Sequence, residues 1–213
     1  MIRCLITAGP TREYFDPVRF MSNPSSGKMG YALAEAATNR GWSVDLVSGP
    51  VSLQVPDGVS AYTVESGEEM LEQVQVLFEF ADILIMAAAV MDYRPVAYSS
   101  LKIKKATSEI TVTLEPVDDI LKSVAARKGN RLVVGFAAET DNLESNARLK
   151  LKSKNLDYIV ANPVGMRGAG FGADTNHVVV FSAIGGEESI GPAAKSIIAE
   201  TLLDRFAGAL SPA

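Results

Sequence analysis

Thiol and imidazole side chains are almost missing from this sequence, which has one cysteine, Cys4, and one histidine, His177, among 213 residues. A lone cysteine excludes an internal disulfide, and its place in the apolar "RCLITA" marks it as a small buried hydrophobe rather than a nucleophile. A lone histidine excludes a histidine pair for metal binding or acid–base work; His177 opens the apolar "HVVVF" and reads as structural. Long apolar runs are missing as well. No stretch reads as a bilayer span or a secretory leader, so no membrane contact and a cytoplasmic location are expected. Basic runs are also lacking: 20 lysines and arginines face 25 aspartates and glutamates, for a net charge of −5, which disfavours a nucleic-acid partner.

Two familiar phosphate loops are absent. The P-loop requires glycine five residues before its Gly-Lys and Ser or Thr after it, but Ser22 and Met29 hold those places around Gly27-Lys28. The dinucleotide fingerprint is missing after the first strand, where the chain reads "TAGPTREY".

What is present is a core-forming chain, 47% hydrophobic, consistent with a single domain over 1–213. Strand-like runs fall at 2–8, 43–49, 60–64, 82–89, 109–114, 131–137, 157–162 and 177–182. Helical patterns intervene at 26–40, 67–80, 118–128, 141–154 and 191–208. This alternation predicts an α/β fold: a Rossmann-like, doubly wound, mostly parallel sheet with helices on both faces. One stretch breaks the rhythm. Between about 93 and 117 a lysine-rich loop, "SSLKIKKATSE", and an extra alternating strand replace the expected helix, which reads as a mobile flap.

The stretch "RFMSNPSSGKMGYALAEAA" passes from a polar loop into a helix expected to start near Ser25 or Ser26, since serine is a favoured cap. A helix start offers unpaired N–H groups and partial positive charge, Gly27 and Gly30 permit close approach, and Lys28 adds a full charge. Phosphate is the natural ligand for such a loop. From these residues alone, a plain capped helix with an exposed lysine is an equally good reading. Lys102, Lys104 and Lys105 read singly as a solvated basic edge, and Lys150, Lys152 and Lys154 as favourable charges near a helix end. The polar segments nevertheless gather after strands, where open parallel sheets bind ligands: "TAGPTREYFDPVRF", "MDYRP", "ETDN" and "NPVGMRGAGFGADTN".

In order and spacing, "LITAGPTREYFDPVRFMSNPSSGKMG", "AAAVMDYRP", "KIKK", "VVGFAAET", "ARLKLKSKNLDYIVANPV" and "GFGADTN" resemble phosphopantothenoylcysteine synthetase, the ligase of coenzyme A biosynthesis that many bacteria fuse behind a flavin-dependent decarboxylase. The resemblance covers most of the chain. Since the first strand follows Met1 at once, it implies a stand-alone enzyme or an excised domain. It implies that a nucleoside triphosphate, usually CTP with Mg²⁺, converts the 4′-phosphopantothenate carboxylate into an acyl-nucleotidylate with release of pyrophosphate. L-cysteine then attacks and expels the nucleoside monophosphate.

By motif position, Asn23 corresponds to the family asparagine that acts on the acyl intermediate, its amide expected to donate to the acyl carbonyl oxygen, Arg19 to an arginine four residues earlier, and Lys102 to the first lysine of the K-x-K-K flap; the resemblance implies that these three are the catalytic residues. Asp92, Phe136, Lys150 and Lys154 match nucleotide-contacting positions, and Met86, Ala87 and Ala88 lie beside the base. The resemblance leaves the metal ligands unassigned and implies a homodimer with the flap near its interface. Ser25, Ser26, Gly27 and Lys28 are expected to face a phosphate, of substrate or nucleotide.

Three departures stand out. Val117-Asp118-Asp119-Ile120 replaces N-P-D-I, so only Asp119 and Ile120 carry over; Pro24 replaces an arginine; Pro163 replaces an aspartate. Two other functions fit the sequence less well. A nicotinamide-dependent reductase lacks its glycine-rich first turn, and a non-catalytic nucleotide-binding module is hard to reconcile with Asn23, Lys102 and Asp92.

Overall fold

The computed structural model describes residues 1–105, 109–163 and 173–210. Three flap residues and most of "GMRGAGFGADTN" therefore lie outside the described residues.

The apolar run after Met1 forms β1 (Arg3–Ala8), followed by a short antiparallel ribbon, β2 (Arg12–Tyr14) with β3 (Phe20–Ser22), and then α1 (Lys28–Asn39). Next come β4 (Ser43–Ser48), β5 (Val59–Thr63), α2 (Gly67–Phe78) and β6 (Ile83–Met86). The flap region supplies a second ribbon, β7 (Tyr93–Pro95) with β8 (Leu114–Pro116), before α3 (Ile120–Ala125). The chain continues through β9 (Leu132–Glu139), α4 (Leu143–Ser153), β10 (Tyr158–Pro163), β11 (Thr175–Ser182), β12 (Glu187–Ala194) and α5 (Lys195–Leu210).

Eight strands form one sheet in the order β12-β11-β10-β9-β6-β1-β4-β5. The six from β5 to β10 are parallel; β11 and β12 close one side as antiparallel neighbours. The sequence pattern dictates this: β1, β4, β6 and β10 are buried nearly end to end because helices cover both faces. On one face Tyr31, Leu33 and Ala37 of α1 meet Ile198, Leu202 and Phe206 of α5 over Ile6, Ile85 and Val134. On the other, Met70 and Val74 of α2, Ile120 and Val124 of α3, and Ala147 and Leu151 of α4 pack on Leu5, Leu84 and Val133. From β1 the winding runs to β4 and β5, then returns to β6 on the opposite side of β1. That reversal between β1 and β6 is the topological switch point where open α/β sheets take ligands.

Several expectations are corrected. Helix α1 is capped by Gly27, not by a serine: Gly27 adopts φ 76°, and Ser25 instead accepts the Gly27 N–H through Oγ at 3.3 Å. The strand expected at 109–114 is replaced by β8 at Leu114–Pro116, and residues 109–113 are irregular. The last helix starts at Lys195 rather than 191, because residues 187–194 form β12.

Candidate active site at the carboxyl edge of the sheet

Over the carboxyl ends of β1, β6, β9 and β10 lies a cavity of about 690 Å³. The α1 start packs closely on β1 because Gly30 has no side chain: a Cβ there would sit 2.5 Å from the Ala8 Cβ and 3.0 Å from the Thr7 carbonyl oxygen. Gly27 supplies the left-handed turn that feeds Lys28 into the helix. The Ala87–Met91 segment is pinned to the neighbouring strand by Ala88 N–H donating to Thr7 Oγ1 (3.1 Å), Ala89 N–H to the Gly9 carbonyl (2.9 Å) and Met91 N–H to Thr11 Oγ1 (3.0 Å).

Most of the expected site residues line this one cavity. Ser25, Ser26, Gly27, Lys28 and Asn23 come from the β3–α1 connection, and Met86, Ala87, Ala88 and Asp92 from the end of β6 and beyond. Asp119 and Ile120 come from the start of α3, Phe136 from β9, and Lys150 and Lys154 from α4 and its end. Asp119 is the α3 cap, accepting Lys122 N–H at 3.2 Å, and pairs with Lys154 at 3.0 Å; Lys150 pairs with the largely buried Glu139 at 2.6 Å. Across the sheet edge, Lys28 meets Asp174 at 2.6 Å, and this contact holds the Asp174 carboxyl below its ordinary range.

Arg19 and Lys102 do not line the cavity. Arg19 Nη1 donates instead to Asp16 Oδ2 (2.6 Å) and to the Ile103 carbonyl (2.9 Å). Asp16 is fully buried and also accepts the N–H groups of Val18 (2.8 Å), Arg19 (2.8 Å) and Ile103 (3.1 Å). Burial alone would raise its pKa, but the N–H donors of Val18, Ile103 and Arg19 and the Arg19 side chain outweigh it and lower the carboxyl below its ordinary range. The effect is a latch on the flap backbone next to the exposed Lys102.

Asn23 also differs from expectation. Its Nδ2 donates to the carbonyls of Ala89 (3.2 Å) and Val90 (3.1 Å), so both amide protons are spent and Oδ1 is the remaining end. Among the described residues no group of three or more Asp, Glu, His or Cys side chains could hold a metal ion.

Sequence reasoning missed Lys195, Asn162 and Asn176, all lining the cavity. Asn162 Oδ1 is buried without a hydrogen-bond partner among the described residues. Its signal was available, since it ends the apolar "DYIVAN". Lys195 gave none, lying inside a segment read as helix. His177 bonds Ser189 through Nε2 at 2.7 Å and does not line the cavity, in keeping with a structural role.

A doubly wound sheet with one large cavity over its switch point, walled by helix starts and lysines, defines the chain as an α/β ligand-binding domain suited to phosphorylated compounds. More particularly, it belongs to the DNA/pantothenate metabolism flavoprotein C-terminal domain family, whose model matches residues 2–209.

It is 47% identical over 204 residues to the coenzyme A biosynthesis bifunctional protein CoaBC of Bacillus subtilis (strain 168), covering 95% of this chain and 50% of that protein. To CoaBC of Escherichia coli (strain K12) it is 45% identical over 209 residues, 96% of this chain and 51% of that protein. The chain thus spans about half the length of the curated relatives it matches. The crystal structure of the C-terminal domain of CoaBC superposes with a TM-score of 0.83 at 42% identity, over 96% of this chain and 93% of that one. The Streptococcus pneumoniae DNA/pantothenate metabolism flavoprotein shares the fold, with a TM-score of 0.84 at 22% identity, over 98% of this chain and 99% of that one.

Proposed function

We propose that this chain is a phosphopantothenate–cysteine ligase that uses CTP, a single catalytic domain over 1–213 working in the cytoplasm. The observation that carries this reading is the gathering, in one cavity, of the phosphate-type loop (Ser25–Lys28), the nucleotide-type positions (Met86–Ala88, Asp92, Asp119, Phe136, Lys150, Lys154) and Asn23. The relatives' role in coenzyme A biosynthesis supports it. So does the absence, among the described residues, of any helix long and apolar enough to cross a membrane.

In the first step a carboxylate oxygen of 4′-phosphopantothenate attacks the α-phosphorus of CTP, the α–β bridging bond breaks and pyrophosphate leaves. Two anions must meet, so the chain's part is to supply cations. Lys28 stands at the cavity, and Lys102 is brought over it when the flap moves about its Asp16–Arg19 anchor, which also excludes water from the anhydride. Further charge neutralisation would come from Mg²⁺ if the nucleotide brings the ion with it.

In the second step the cysteine amine attacks the acyl carbon and CMP departs. Asn23, its N–H groups fixed by two carbonyls, offers Oδ1 as acceptor to the incoming amine, orienting its lone pair toward the acyl carbon. The preference for CTP rests on a base site bounded by the Met86–Ala88 backbone and Asp119.

We place the chain in a homodimer. Much of the exposed apolar surface is concentrated on the flap and the neighbouring ribbon: Phe20, Tyr98, Leu101, Ile110, Val112 and Leu114 are all exposed. A second copy would cover them.

Pyrophosphate release, measured with CTP and ATP in the presence and absence of phosphopantothenate and cysteine, tests the reading. Release is expected only with phosphopantothenate, and faster with CTP. Equal kcat/KM for the two nucleotides would remove the CTP assignment, and no dependence on phosphopantothenate would remove the ligase.

A further inference from the structure

The two sides of the cavity differ electrically. On the α3/α4 side Lys150 and Lys154 are matched by Glu139 and Asp119, and Lys122 is outnumbered by Asp92 and Asp118. On the α1/α5 side stand Lys28 and Lys195, with Asp174 serving both: it contacts Lys28 at 2.6 Å, and its field reaches Lys195. Lys195, the first residue of α5, is only 8% exposed and donates to the Ala173 carbonyl at 2.6 Å. A buried ammonium is a costly thing to keep at a cavity wall, and burial together with Lys28 pulls its pKa down while Asp174 pulls it up. A lysine serving only to tie α5 to the preceding loop would have no need to line the ligand cavity. Beside it Asn176, 4% exposed, accepts the His177 N–H through Oδ1 at 2.9 Å, which leaves its NH₂ as the donor end.

We infer that Lys195, Lys28 and the Asn176 amide form a phosphate-binding subsite on the α1/α5 side of the cavity, with Lys195 as its buried anchor. The inference rests on the ligase reading only for the identity of the ligand. The shared chemistry is a phosphate group, from either the nucleotide triphosphate or the 4′-phosphate of phosphopantothenate. The excess of positive charge on this side favours a phosphate group here over the charge-balanced α3/α4 side.

Calorimetric titration of the full chain and of Lys195→Gln, Lys195→Arg and Asn176→Asp tests this, using inorganic pyrophosphate, CTP, CMP, phosphopantothenate and pantothenate. Lys195→Gln is expected to weaken one phosphate-rich ligand by about 10–100-fold, the usual worth of one charge-assisted hydrogen bond. Lys195→Arg should retain most of the affinity, and Asn176→Asp should weaken the same ligand by repulsion. Loss for pyrophosphate and CTP but not CMP assigns the nucleotide phosphates; loss for phosphopantothenate but not pantothenate assigns the substrate phosphate. Either supports the subsite. A purely structural lysine would instead shift phosphate-bearing and phosphate-free ligands alike, which overturns it. So would unchanged affinities in Lys195→Gln alongside normal wild-type turnover. If Lys195→Gln does not fold, Asn176→Asp decides on the same criteria. Wild-type chain that binds pyrophosphate through Lys195 yet makes no phosphopantothenoylcysteine would sink the ligase reading and leave the subsite standing.

Discussion

At the strand ends, cavity residues are held by the sheet or by a helix start: Ala88 and Met91 are tied to the β1 region, and Asp119 is committed as the α3 cap. Lys102 on the flap is exposed, and its neighbour Ile103 is held by one polar latch, Asp16 with Arg19. The first region fixes positions through burial and can be perturbed only by disturbing the core. The second fixes a position through a few hydrogen bonds, and at the exposed Lys102 it can be perturbed without touching stability. Orientation of substrates and delivery of charge are thus carried by separate parts, and substitutions should pull them apart.

Lys102→Gln gives the largest effect: turnover falls by roughly 10²–10³-fold, the cost of one donor aimed at developing charge. The unfolding midpoint stays at the wild-type value, because the side chain is exposed. Steady-state kinetics with a parallel thermal melt checks this; near-normal turnover returns Lys102 to a solvated edge.

Asn23→Asp is next, and lies on the rigid side. A carboxylate would face the carbonyl oxygens of Ala89 and Val90 where Nδ2 now donates at 3.2 and 3.1 Å. Because the amine must be oriented in the second step, product formation is expected to fall by about 10²-fold while about one pyrophosphate per site is still released. Mass spectrometry should detect the acyl-cytidylate; loss of the pyrophosphate burst would show that Asn23 serves the first step as well.

Gly30→Ala attacks the rigid region through stability. The new Cβ meets the Ala8 Cβ at 2.5 Å, and overpacking of this kind costs about 1–3 kcal/mol. A denaturant midpoint lowered with unchanged slope is the expected reading, with activity and stability falling together, unlike Lys102→Gln.

Asp16→Asn is the mildest and the sharpest probe of the latch. Turnover is expected to fall roughly tenfold, short of the hundredfold that a misplacement of about 1 Å can reach. Since the folded Asp16 carboxyl sits below its ordinary value, its contribution to stability is present above a pH of about 4 and is lost as pH falls through the depressed folded value. The melting-point gap between wild type and Asp16→Asn should therefore narrow in acid; a gap that widens would contradict the hydrogen-bonded anion.

The same division explains what the sequence disclosed. Elements closed by burial were legible, since "DILIMAAA" and "RLVVGFA" can only be strands covered on both faces, and the apolar spacing of α2 and α4 marked helices. The three-residue ribbons β2–β3 and β7–β8 have no period to read. In "EITVTL" the alternation is real, but Ile110 and Val112 are exposed and only Leu114 belongs to a strand, so the pattern describes a face uncovered within this chain. Strand β12 was hidden by Gly191 and Pro192, which local reasoning assigns to loops although edge strands accept them. At the site, residues carried by motif gathered in the cavity, whereas Lys195 could be placed only once β12 was known. Arg19 reads as catalytic by motif because a motif gives neighbours in sequence, not the partner Asp16 that turns its guanidinium toward the flap.

One further consequence lies in the parity of the last two strands. β11 reverses the direction of the sheet and β12 reverses it again, so the chain leaves β12 travelling the same way as β10. An even number of reversals starts α5 at the ligand edge, amide end first, with Lys195 at its head. An odd number would present a carbonyl end there and send the lysine to the opposite rim. Losing or gaining a single hairpin arm would thus invert the polarity of this wall while leaving every parallel strand in place.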